Sequence, residues 1–293
     1  MMTQAALICR VNGRDQQQIS LFDRGFQFGD SIFETARFYI DRCPFWSLHL
    51  KRFSQACERL AFHFDVAKLQ AEYQYICQLL QAQGQREAIV KFQLSRGESL
   101  RGYAHPDGEA NLVALAFSAV PFDQAVAAKK LELSLINLAK QPLLAGLKHG
   151  NRLEQVLARQ KLSSSCDDAI LLDSEQHVIE AISSNLFYKQ DGHWLTPDLS
   201  FSGVAGVVRA YLLERAALRV SSTPLTVEQL LQSEAVCLAN SVQGIQAVES
   251  LMIASGPLQG LHKWQGEGEN VTASESLSQI YREGFTLPAR SSE

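Results

Sequence analysis

Long apolar runs, paired cysteines and an excess of basic charge are all lacking in this sequence. No stretch approaches the roughly 18 consecutive apolar residues that a membrane helix requires, and we expect no export signal at the N-terminus. The six cysteines are scattered without a C-x-x-C pair, which argues against a zinc site and a disulfide framework. Because 27 basic residues stand against 31 acidic ones, we expect no nucleic-acid partner. The prediction is a cytoplasmic protein with reduced thiols, no metal and no membrane contact.

The composition that remains is that of a folded, soluble globular protein. Hydrophobic residues make up 46% of the chain and charged residues 20%, which excludes extended disorder. At 293 residues the chain exceeds the usual size of a single core, so two domains are expected.

Strand and helix patterns alternate over residues 1–120. Apolar and polar residues alternate on both sides of Asn12-Gly13, a dipeptide that favours a tight hairpin turn. From Ser47 the apolar residues recur at three- and four-residue steps, and a second helix is predicted for residues 66–81. The segments AIVKFQLSRG and NLVALAFSAV have the pattern of strands. These elements predict a smaller N-terminal α+β domain.

A larger C-terminal domain is predicted for residues 121–293. LELSLINLA is a predicted strand, and residues 174–176 join AILL to HVIE as a hairpin. SSNLFYK and SEAVCLA are further strands, and a helix is expected over residues 205–218. In a protein with two such domains, a cleft between them is the natural place for a ligand.

Lys148 is the first candidate for chemistry. Apolar residues precede this lysine, Gly150 two residues later interrupts the regular pattern, and a helical pattern follows. Desolvation together with the neighbouring His149 and Arg152 would disfavour the ammonium form and make the amine nucleophilic. The alternative is an ordinary surface lysine that precedes a helix.

Two further candidate sites, one for a cation and one for a phosphate, lie in the second half of the chain. Glu180 ends the strand HVIE and enters an apolar, small-residue stretch, where a carboxylate needs a cation. That cation could be a protonated pyridine nitrogen or an arginine. Gly203 and Gly206 precede a helix whose first N–H groups could bind a phosphate, although such glycines also serve simply as a turn and cap.

A second candidate phosphate-binding site lies in the first half of the chain. His49 and Arg52, three residues apart on one predicted helix, could form a phosphate-binding fork. The alternative is that Arg52 is an exposed helix residue.

Seven segments stand out in the sequence, in the order DRGFQFGDSIFETARF, LHLKRF, LSRGESLRGY, LAGLKHGNRLEQVLAR, VIEAISSNLF, GVAGVVR and ANSVQGI. These segments and their order resemble the landmarks of the fold-type IV pyridoxal-phosphate (PLP) enzymes. This family includes the branched-chain and D-amino-acid aminotransferases and the 4-amino-4-deoxychorismate lyases. The resemblance runs from about residue 10 to 250, and KHGNRLEQVLAR, RGY and ANSVQGI are most similar to the lyases. The implied fold is α+β, with two domains and a cofactor cleft between them.

The resemblance implies PLP as the cofactor and assigns the residues that bind it. Lys148 would hold PLP covalently and later move protons, and Glu180 would keep the pyridine nitrogen protonated. Arg52 matches the family's phosphate-binding arginine, and the N–H groups of the helix start would complete the phosphate site. The implied cofactor-binding residues are Lys148, Glu180, Arg52, Val207, Val208, Asn240 and Ser241.

The resemblance also implies substrate contacts. Arg101, in RGY, matches an arginine that binds a substrate carboxylate in related enzymes, often from the partner subunit of a homodimer. Arg37 and Arg96 are further candidates for substrate binding, with structural ion pairs as their alternative. Thr35 is a candidate catalytic residue that could position a proton or a water molecule.

The implied activity is that of a PLP-dependent lyase that forms p-aminobenzoate and pyruvate from 4-amino-4-deoxychorismate in folate biosynthesis. The alternatives are a D-amino-acid or branched-chain aminotransferase of the same fold, and a PLP-free binding protein. A homodimer is expected from the family. Gly150 and Ser31 depart from the leucine and glycine that are frequent in the lyases, and either departure could alter the shape of the pocket.

Overall fold

The computed structural model describes residues 5–104, 108–121, 127–215, 218–264 and 269–286. By their internal contacts these residues form two compact units. Unit 1 comprises the described residues of Met1–Asp123 together with Lys148–Asn151. Unit 2 comprises the described residues of Gln124–Leu147 and Arg152–Leu287. The described residues contain no helix that is long and apolar enough to cross a membrane.

Unit 1 is built on an antiparallel sheet with the strand order β2-β1-β5-β4-β3. Its strands are β1 (Ile8–Val11), β2 (Arg14–Asp15), β3 (Ser31–Tyr39), β4 (Glu87–Ser95) and β5 (Asn111–Ser118), and its helices are α1 (Arg24–Phe28), α2 (Trp46–Arg59) and α3 (Val66–Ala82). The structure confirms the predicted hairpin at Asn12-Gly13. It also confirms the two predicted helices, which are α2 and α3, and the two predicted strands AIVKFQLSRG and NLVALAFSAV, which are β4 and β5. Asn12 and Gly13 have φ angles of 50° and 74°, as a tight hairpin turn of this kind requires.

The two faces of this sheet differ in burial. Along β4 every second side chain from Ala88 to Leu94 is buried, on the face that also carries Glu34 of β3. The intervening side chains are half-buried and form what we call the second face of the sheet. The second face comprises Phe33, Thr35, Ile89, Lys91 and Gln93.

Unit 2 contains a sheet in which six strands close into a ring. Its strands are β6 (Lys129–Leu133), β7 (Asp168–Leu172), β8 (Val178–Ala181), β9 (Asn185–Gln190), β10 (His193–Thr196), β11 (Arg219–Val220), β12 (Ala235–Asn240), β13 (Gly244–Ile253) and β14 (Gly260–Lys263), and its helices are α4 (Leu153–Lys161), α5 (Val207–Glu214), α6 (Val227–Leu231) and α7 (Glu269–Thr286). The ring runs β9-β12-β13-β6-β7-β8 and is closed where Glu180 of β8 pairs with Asn185 of β9. Leu131, Ile170, Leu186 and Leu251 belong to its buried core.

The predicted elements of unit 2 are present, with two of them shorter than expected. The strand in LELSLINLA ends at Leu133, because the Ser134 hydroxyl bonds to both the N–H and the carbonyl of Ile136 and turns the chain. The helix predicted over residues 205–218 begins at Val207, since Gly206 has an extended backbone and acts as its N-cap. It ends at Glu214, after which Arg215 is the C-cap.

A buried ionic cluster ties α2 to β3. Glu34 accepts hydrogen bonds from Arg52 Nε at 2.7 Å and from Arg52 Nη2, and His49 Nδ1 lies 2.7 Å from Glu34 Oε2. Burial alone would raise the pKa of Glu34, but the charge and hydrogen bonds of Arg52 and the hydrogen bond from His49 outweigh burial and lower that pKa to about 2. Burial lowers the pKa of His49, so its imidazole is neutral and Nδ1–H donates to the carboxylate.

We expect this cluster to make folding sensitive to acid. The ionised Glu34 stabilises the fold above its ordinary pKa of 4.5, and this contribution of about 3 kcal/mol is lost as the pH falls towards 2. His49 acts in the same direction below its ordinary pKa of 6.5, since the unfolded chain takes up a proton that the folded chain does not. Urea unfolding of the wild type and of Glu34→Gln between pH 7 and 3 measures the effect. The variant should be less stable at pH 7 and should lose less stability on acidification. The exposed Glu58→Gln on α2 is the control, and an equally steep loss in Glu34→Gln would contradict the assignment.

Candidate active site

Lys148 is fixed at the free edge of β3. The Lys148 carbonyl accepts from the N–H of Phe33 at 2.9 Å, and the Gly150 N–H donates to the Ser31 carbonyl at 2.6 Å. Residues 148–150 therefore extend the unit 1 sheet by a short antiparallel segment, with His149 opposite Ile32. The Lys148 side chain is half-buried, and its Nζ lies 4.5 Å from the centroid of the Phe33 ring. An ammonium or amine held over an aromatic ring in this way has a defined position rather than a mobile one.

Arg52 is part of the buried cluster and belongs to the same unit as Lys148. Its guanidinium side chain is 12% exposed, so the alternative of an exposed helix arginine is wrong. His49 does not accompany it as a second phosphate ligand, because His49 is fully buried and directed to Glu34. Burial is the main cause of the lowered pKa of His49, and the positive charges of Arg52 and Lys148 act in the same direction.

Glu180 lies where the ring of unit 2 closes. It is 4% exposed, and its Oε2 accepts from the Val204 N–H at 2.9 Å and from the Asn185 amide at 3.4 Å. Hydrogen bonds from neutral donors favour the ionised form of a buried carboxylate. The negative charge of Glu180 also acts on Arg209, where it opposes the lowering of the arginine pKa by burial.

Two glycines next to Glu180 pack closely against neighbouring side chains. A Cβ on Gly206 would come within 2.0 Å of Asn185 Oδ1, and a Cβ on Gly203 would come within 2.8 Å of Ile179. Gly203 also has a φ of +84°, a backbone conformation that residues with a side chain rarely adopt. Helix α5 starts directly after Gly206, and within the part of the chain that is described the N–H groups of Val207 and Val208 donate to no protein acceptor. This helix start fits an anionic group such as a phosphate.

Asn240 and Ser241 lie at the turn between β12 and β13. The Asn240 amide nitrogen donates to Ser184 Oγ at 3.0 Å, and its Oδ1 accepts from the Gln243 N–H at 2.7 Å. Asn240 therefore shapes this turn and connects it to the residue before Asn185. Whether either residue also contacts a cofactor stays a prediction.

Arg101 lies on an exposed loop that a buried arginine supports. Arg24 Nη1 donates to Ser99 Oγ at 3.0 Å and to the Gly102 carbonyl at 3.1 Å, on both sides of Arg101. Its Nε also donates to Asp30 at 2.9 Å. Arg24 thus fixes the backbone from which the exposed Arg101 side chain projects.

Arg37 and Arg96 are engaged within unit 1. Arg37 pairs with Glu87 and donates to the Val120 carbonyl at 3.0 Å. Arg96 pairs with Asp30 at 2.9 Å and donates to two carbonyls at the end of α2. These contacts are the structural ion pairs named above as the alternative, and a role of these arginines in substrate binding stays a prediction. Thr35, the candidate catalytic threonine, is half-buried on the second face of the sheet.

Sequence reasoning missed Glu34, Asn185, Arg24 and Lys91. A signal existed for two of them. Glu34 stands among the apolar residues at every second position of β3, and the following helix segment LHLKR offers basic partners for it. Lys91 interrupts the run of apolar residues in β4. Asn185 and Arg24 are recognised only through contacts with residues that are distant in the sequence.

Ser31 and Gly150, the two departures from the lyase pattern, occupy the same space. A Cβ on Gly150 would lie 2.1 Å from Ser31 Oγ and 3.0 Å from the Gly29 carbonyl, and Ser31 is held by a hydrogen bond from Gln93 at 3.1 Å. A side chain at position 150 therefore requires that the serine hydroxyl move or be absent.

We expect Gly150→Ala to lower the free energy of unfolding by about 1 to 3 kcal/mol, because it overpacks the edge that holds Lys148. Adding Ser31→Gly should recover most of this loss. Thermal unfolding of the wild type, the two single variants and the double variant measures the coupling between the two positions. Gly108→Ala is the control, since a Cβ there meets nothing closer than 3.9 Å. If the effects of the two substitutions on the free energy of unfolding were additive, the claim that positions 31 and 150 share one space would be contradicted.

Comparison with known proteins gives a consistent result. The family model Amino-transferase class IV matches residues 31–251. Aminodeoxychorismate lyase of Vibrio harveyi is 33% identical over 248 residues, which is 82% of this chain and 90% of that protein. The crystal structure of 4-amino-4-deoxychorismate lyase from Pseudomonas aeruginosa has a TM-score of 0.78 and 33% identity, and the match covers 93% of this chain and 98% of that chain.

A more distant structure shares the fold. The branched-chain amino acid aminotransferase of T.th., complexed with N-(5'-phosphopyridoxyl)-L-glutamate, has a TM-score of 0.76 at 20% identity, over 97% of this chain and 94% of that one. The predicted α+β, fold-type IV architecture is thereby confirmed. The extent of the family match and the identity to the Vibrio harveyi protein establish that this chain belongs to the amino-transferase class IV family.

Proposed function

We propose that this protein is a PLP-dependent carbon-oxygen lyase that converts 4-amino-4-deoxychorismate to p-aminobenzoate and pyruvate in folate biosynthesis. The observation that carries the proposal is the 33% identity to a lyase over nine tenths of that relative's length, which includes the lysine segment. The edge-bound Lys148 and the start of helix α5 supply the physical support. The six free cysteines agree with a cytoplasmic location.

Each unit contains residues that suit the binding of PLP. Lys148 Nζ would bind the cofactor covalently, and Glu180 would hold the proton on the pyridine nitrogen through its charge. The N–H groups of Val207 and Val208, with Arg52, would hold the phosphate. Ser241 would donate its hydroxyl to the phosphate, and Asn240 would face cofactor and substrate.

When bound, PLP supplies an electron sink that stabilises negative charge at the substrate carbon next to the amine. Lys148 Nζ removes the proton from that carbon, which requires a neutral amine within reach of it. The ring of Phe33 keeps Nζ in place, and Thr35 on the same face positions a proton or water. Loss of the enolpyruvyl group then makes the substrate ring aromatic, so the protein need supply only proton removal and orientation.

An aminotransferase of the same fold is the second candidate. It would share the proton removal by Lys148 and differ only afterwards, because no group would leave the substrate. The similarity of fold to the branched-chain amino acid aminotransferase of T.th. is why this outcome belongs in the test.

We also propose a homodimer that forms through α4. Leu153, Val156 and Leu157 recur at helical spacing on this helix and are 75%, 57% and 43% exposed. An apolar helical stripe left in water is typical of an interface. Arg101 is proposed to bind a substrate carboxylate, and in related enzymes the corresponding arginine often comes from the partner subunit.

The lyase proposal is tested by incubating the purified protein and PLP with 4-amino-4-deoxychorismate and following p-aminobenzoate. Lys148→Ala should lose both product formation and the visible absorbance of lysine-bound PLP. Glu180→Gln should retain PLP but lose about 100-fold or more in kcat, since a neutral amide cannot balance a pyridinium charge. The exposed Lys68→Ala and Glu58→Gln are the controls. Absence of p-aminobenzoate together with turnover of D-alanine or leucine with 2-oxoglutarate would refute the lyase and support the aminotransferase.

The dimer is tested by light scattering coupled to size-exclusion chromatography. The wild type should have twice the mass of one chain, and Leu153→Asp with Val156→Asp should give monomers, because two carboxylates would have to be buried at the interface. Leu261→Asp is the matched control, since Leu261 is 54% exposed on β14 outside the stripe. A dimeric double variant would place the interface elsewhere.

A further inference from the structure

The loop of residues 98–104, which we call the Arg101 loop, has little burial of its own. Residues 100–104 are all exposed, and the side chains of Leu100 and Tyr103 are among the most exposed apolar ones in the described part of the chain. A surface loop without a buried side chain normally samples many conformations. If a guanidinium on such a loop had to be ordered at each binding event, the ordering would cost affinity.

A buried arginine outside the loop supplies the contacts that the loop itself lacks. Arg24 is only 5% exposed. Its Nη1 donates to Ser99 Oγ at 3.0 Å, to the Gly102 carbonyl at 3.1 Å and to the Ala104 carbonyl at 3.3 Å. These acceptors lie before and after Arg101 in the sequence. The loop backbone is therefore held on both sides of Arg101.

An aromatic contact holds the same loop against α1. Phe28 lies four residues after Arg24, so both side chains are on one face of this helix. The Phe28 ring centroid is 5.4 Å from that of Tyr103 and 5.0 Å from the guanidinium carbon of Arg24. Tyr103 thus contacts α1 although most of its surface is exposed.

Asp30 connects Arg24 to the sheet of unit 1. It accepts from Arg24 Nε and from Arg96 Nε, each at 2.9 Å, and it directly precedes β3. Burial alone would raise the pKa of Asp30, but the hydrogen bonds and charges of Arg96 and Arg24 outweigh burial and lower that pKa. Because Nε and Nη1 belong to one planar group, an ionised carboxylate held at Nε also fixes the direction in which Nη1 donates.

We propose that Arg24 is a positioning residue for substrate recognition, which holds the Arg101 loop so that Arg101 presents its guanidinium to a substrate carboxylate in one orientation. This proposal rests on the proposed function, which assigns the carboxylate contact to Arg101. Arg24 acts on the substrate only through Arg101, in whichever subunit's site Arg101 lies. Since the loop is ordered when the protein folds, loss of Arg24 should weaken substrate binding more than proton removal by Lys148.

The kinetic test compares PLP-loaded Arg24→Gln and Arg24→Lys with the wild type. Arg24→Gln should raise KM for 4-amino-4-deoxychorismate by about 10-fold and leave kcat within about threefold, as expected when preorganisation of a binding group is lost. Arg24→Lys keeps the charge beside Asp30, but a single ammonium cannot also hold the loop. This variant should therefore raise KM almost as much as Arg24→Gln while losing less thermal stability.

Arg10→Gln is the matched control. Arg10 is 6% exposed and pairs with Glu72 on α3, and its other hydrogen bonds go to Asp15 and to the Gly13 carbonyl. Its loss should lower the melting temperature, because Glu72 stays buried without this partner, and should leave KM unchanged. A similar rise of KM in Arg10→Gln would show that any destabilisation of unit 1 has this effect, and would overturn the specific role of Arg24.

A double-variant cycle tests whether Arg24 acts through Arg101. If it does, the KM of Arg24→Gln combined with Arg101→Gln should equal that of Arg101→Gln alone within about twofold. A KM that rises by the product of the two single effects would overturn the proposal. Ser99→Ala removes one acceptor of Arg24 with little risk to folding and should raise KM by about two- to fivefold. If the Arg24 variants fail to fold, an unchanged KM in Ser99→Ala overturns the proposal.

Trypsin cleavage of the bond between Arg101 and Gly102 tests the loop independently of the reaction. Cleavage requires local opening of the loop, so its rate measures how firmly the loop is held. Mass spectrometry of the fragments should show that Arg24→Gln is cleaved at this bond about 10-fold faster than the wild type, since at least one net hydrogen-bond contribution is lost. Arg10→Gln should be cleaved there at the rate of the wild type. An unchanged rate in Arg24→Gln would contradict the claim that Arg24 holds the loop.

The results separate this proposal from the lyase function. If the wild type forms p-aminobenzoate while Arg24→Gln keeps its KM, the role of Arg24 is overturned and the lyase stands. If the wild type forms no p-aminobenzoate, the lyase fails. The trypsin rates and the KM for the amino acid that the wild type does turn over, which also has a carboxylate, then decide the role of Arg24. A wild type with neither activity, combined with unchanged cleavage of Arg24→Gln, would overturn both.

Discussion

The proposed site depends on the backbone pairing between residues 148–150 and the edge of β3. An edge strand exposes N–H and carbonyl groups that need partners, and here those of Phe33 and Ser31 are satisfied by the segment that carries Lys148. The pairing fixes the lysine main chain to a rigid sheet and leaves the side chain to extend over Phe33. A nucleophile placed on a regular element is positioned more precisely than one placed on a loop. The contacts of this segment also explain why it belongs to unit 1, although the chain on either side of it belongs to unit 2.

The two buried glutamates show how surroundings assign different tasks to the same side chain. Glu34 accepts from a guanidinium and an imidazole, so its charge is balanced inside the protein and serves to hold α2 on β3. Glu180 accepts from a backbone N–H and a side-chain amide, which carry no formal charge. Such donors keep a carboxylate ionised while its field still acts on a nearby cation.

Much of the fold could be predicted from the sequence because its signals are local. Asn12-Gly13 specifies a turn by its own conformational preference, and the periodicity after Ser47 specifies a helix by its own spacing. The ring closure at Glu180 and Asn185 could not be predicted in this way, since it depends on which strands become neighbours. Likewise the motif around Lys148 indicated the lysine, but no pattern indicated that β3 would hold it.

The shared space of Ser31 and Gly150 limits the order in which these positions can change during evolution. A lineage that carries the serine meets a steric clash when it acquires a side chain at position 150, unless the hydroxyl group moves or is lost, and the reverse path meets the same obstacle. Glycine at both positions is the passable intermediate. The residues at positions 31 and 150 are therefore expected to change together.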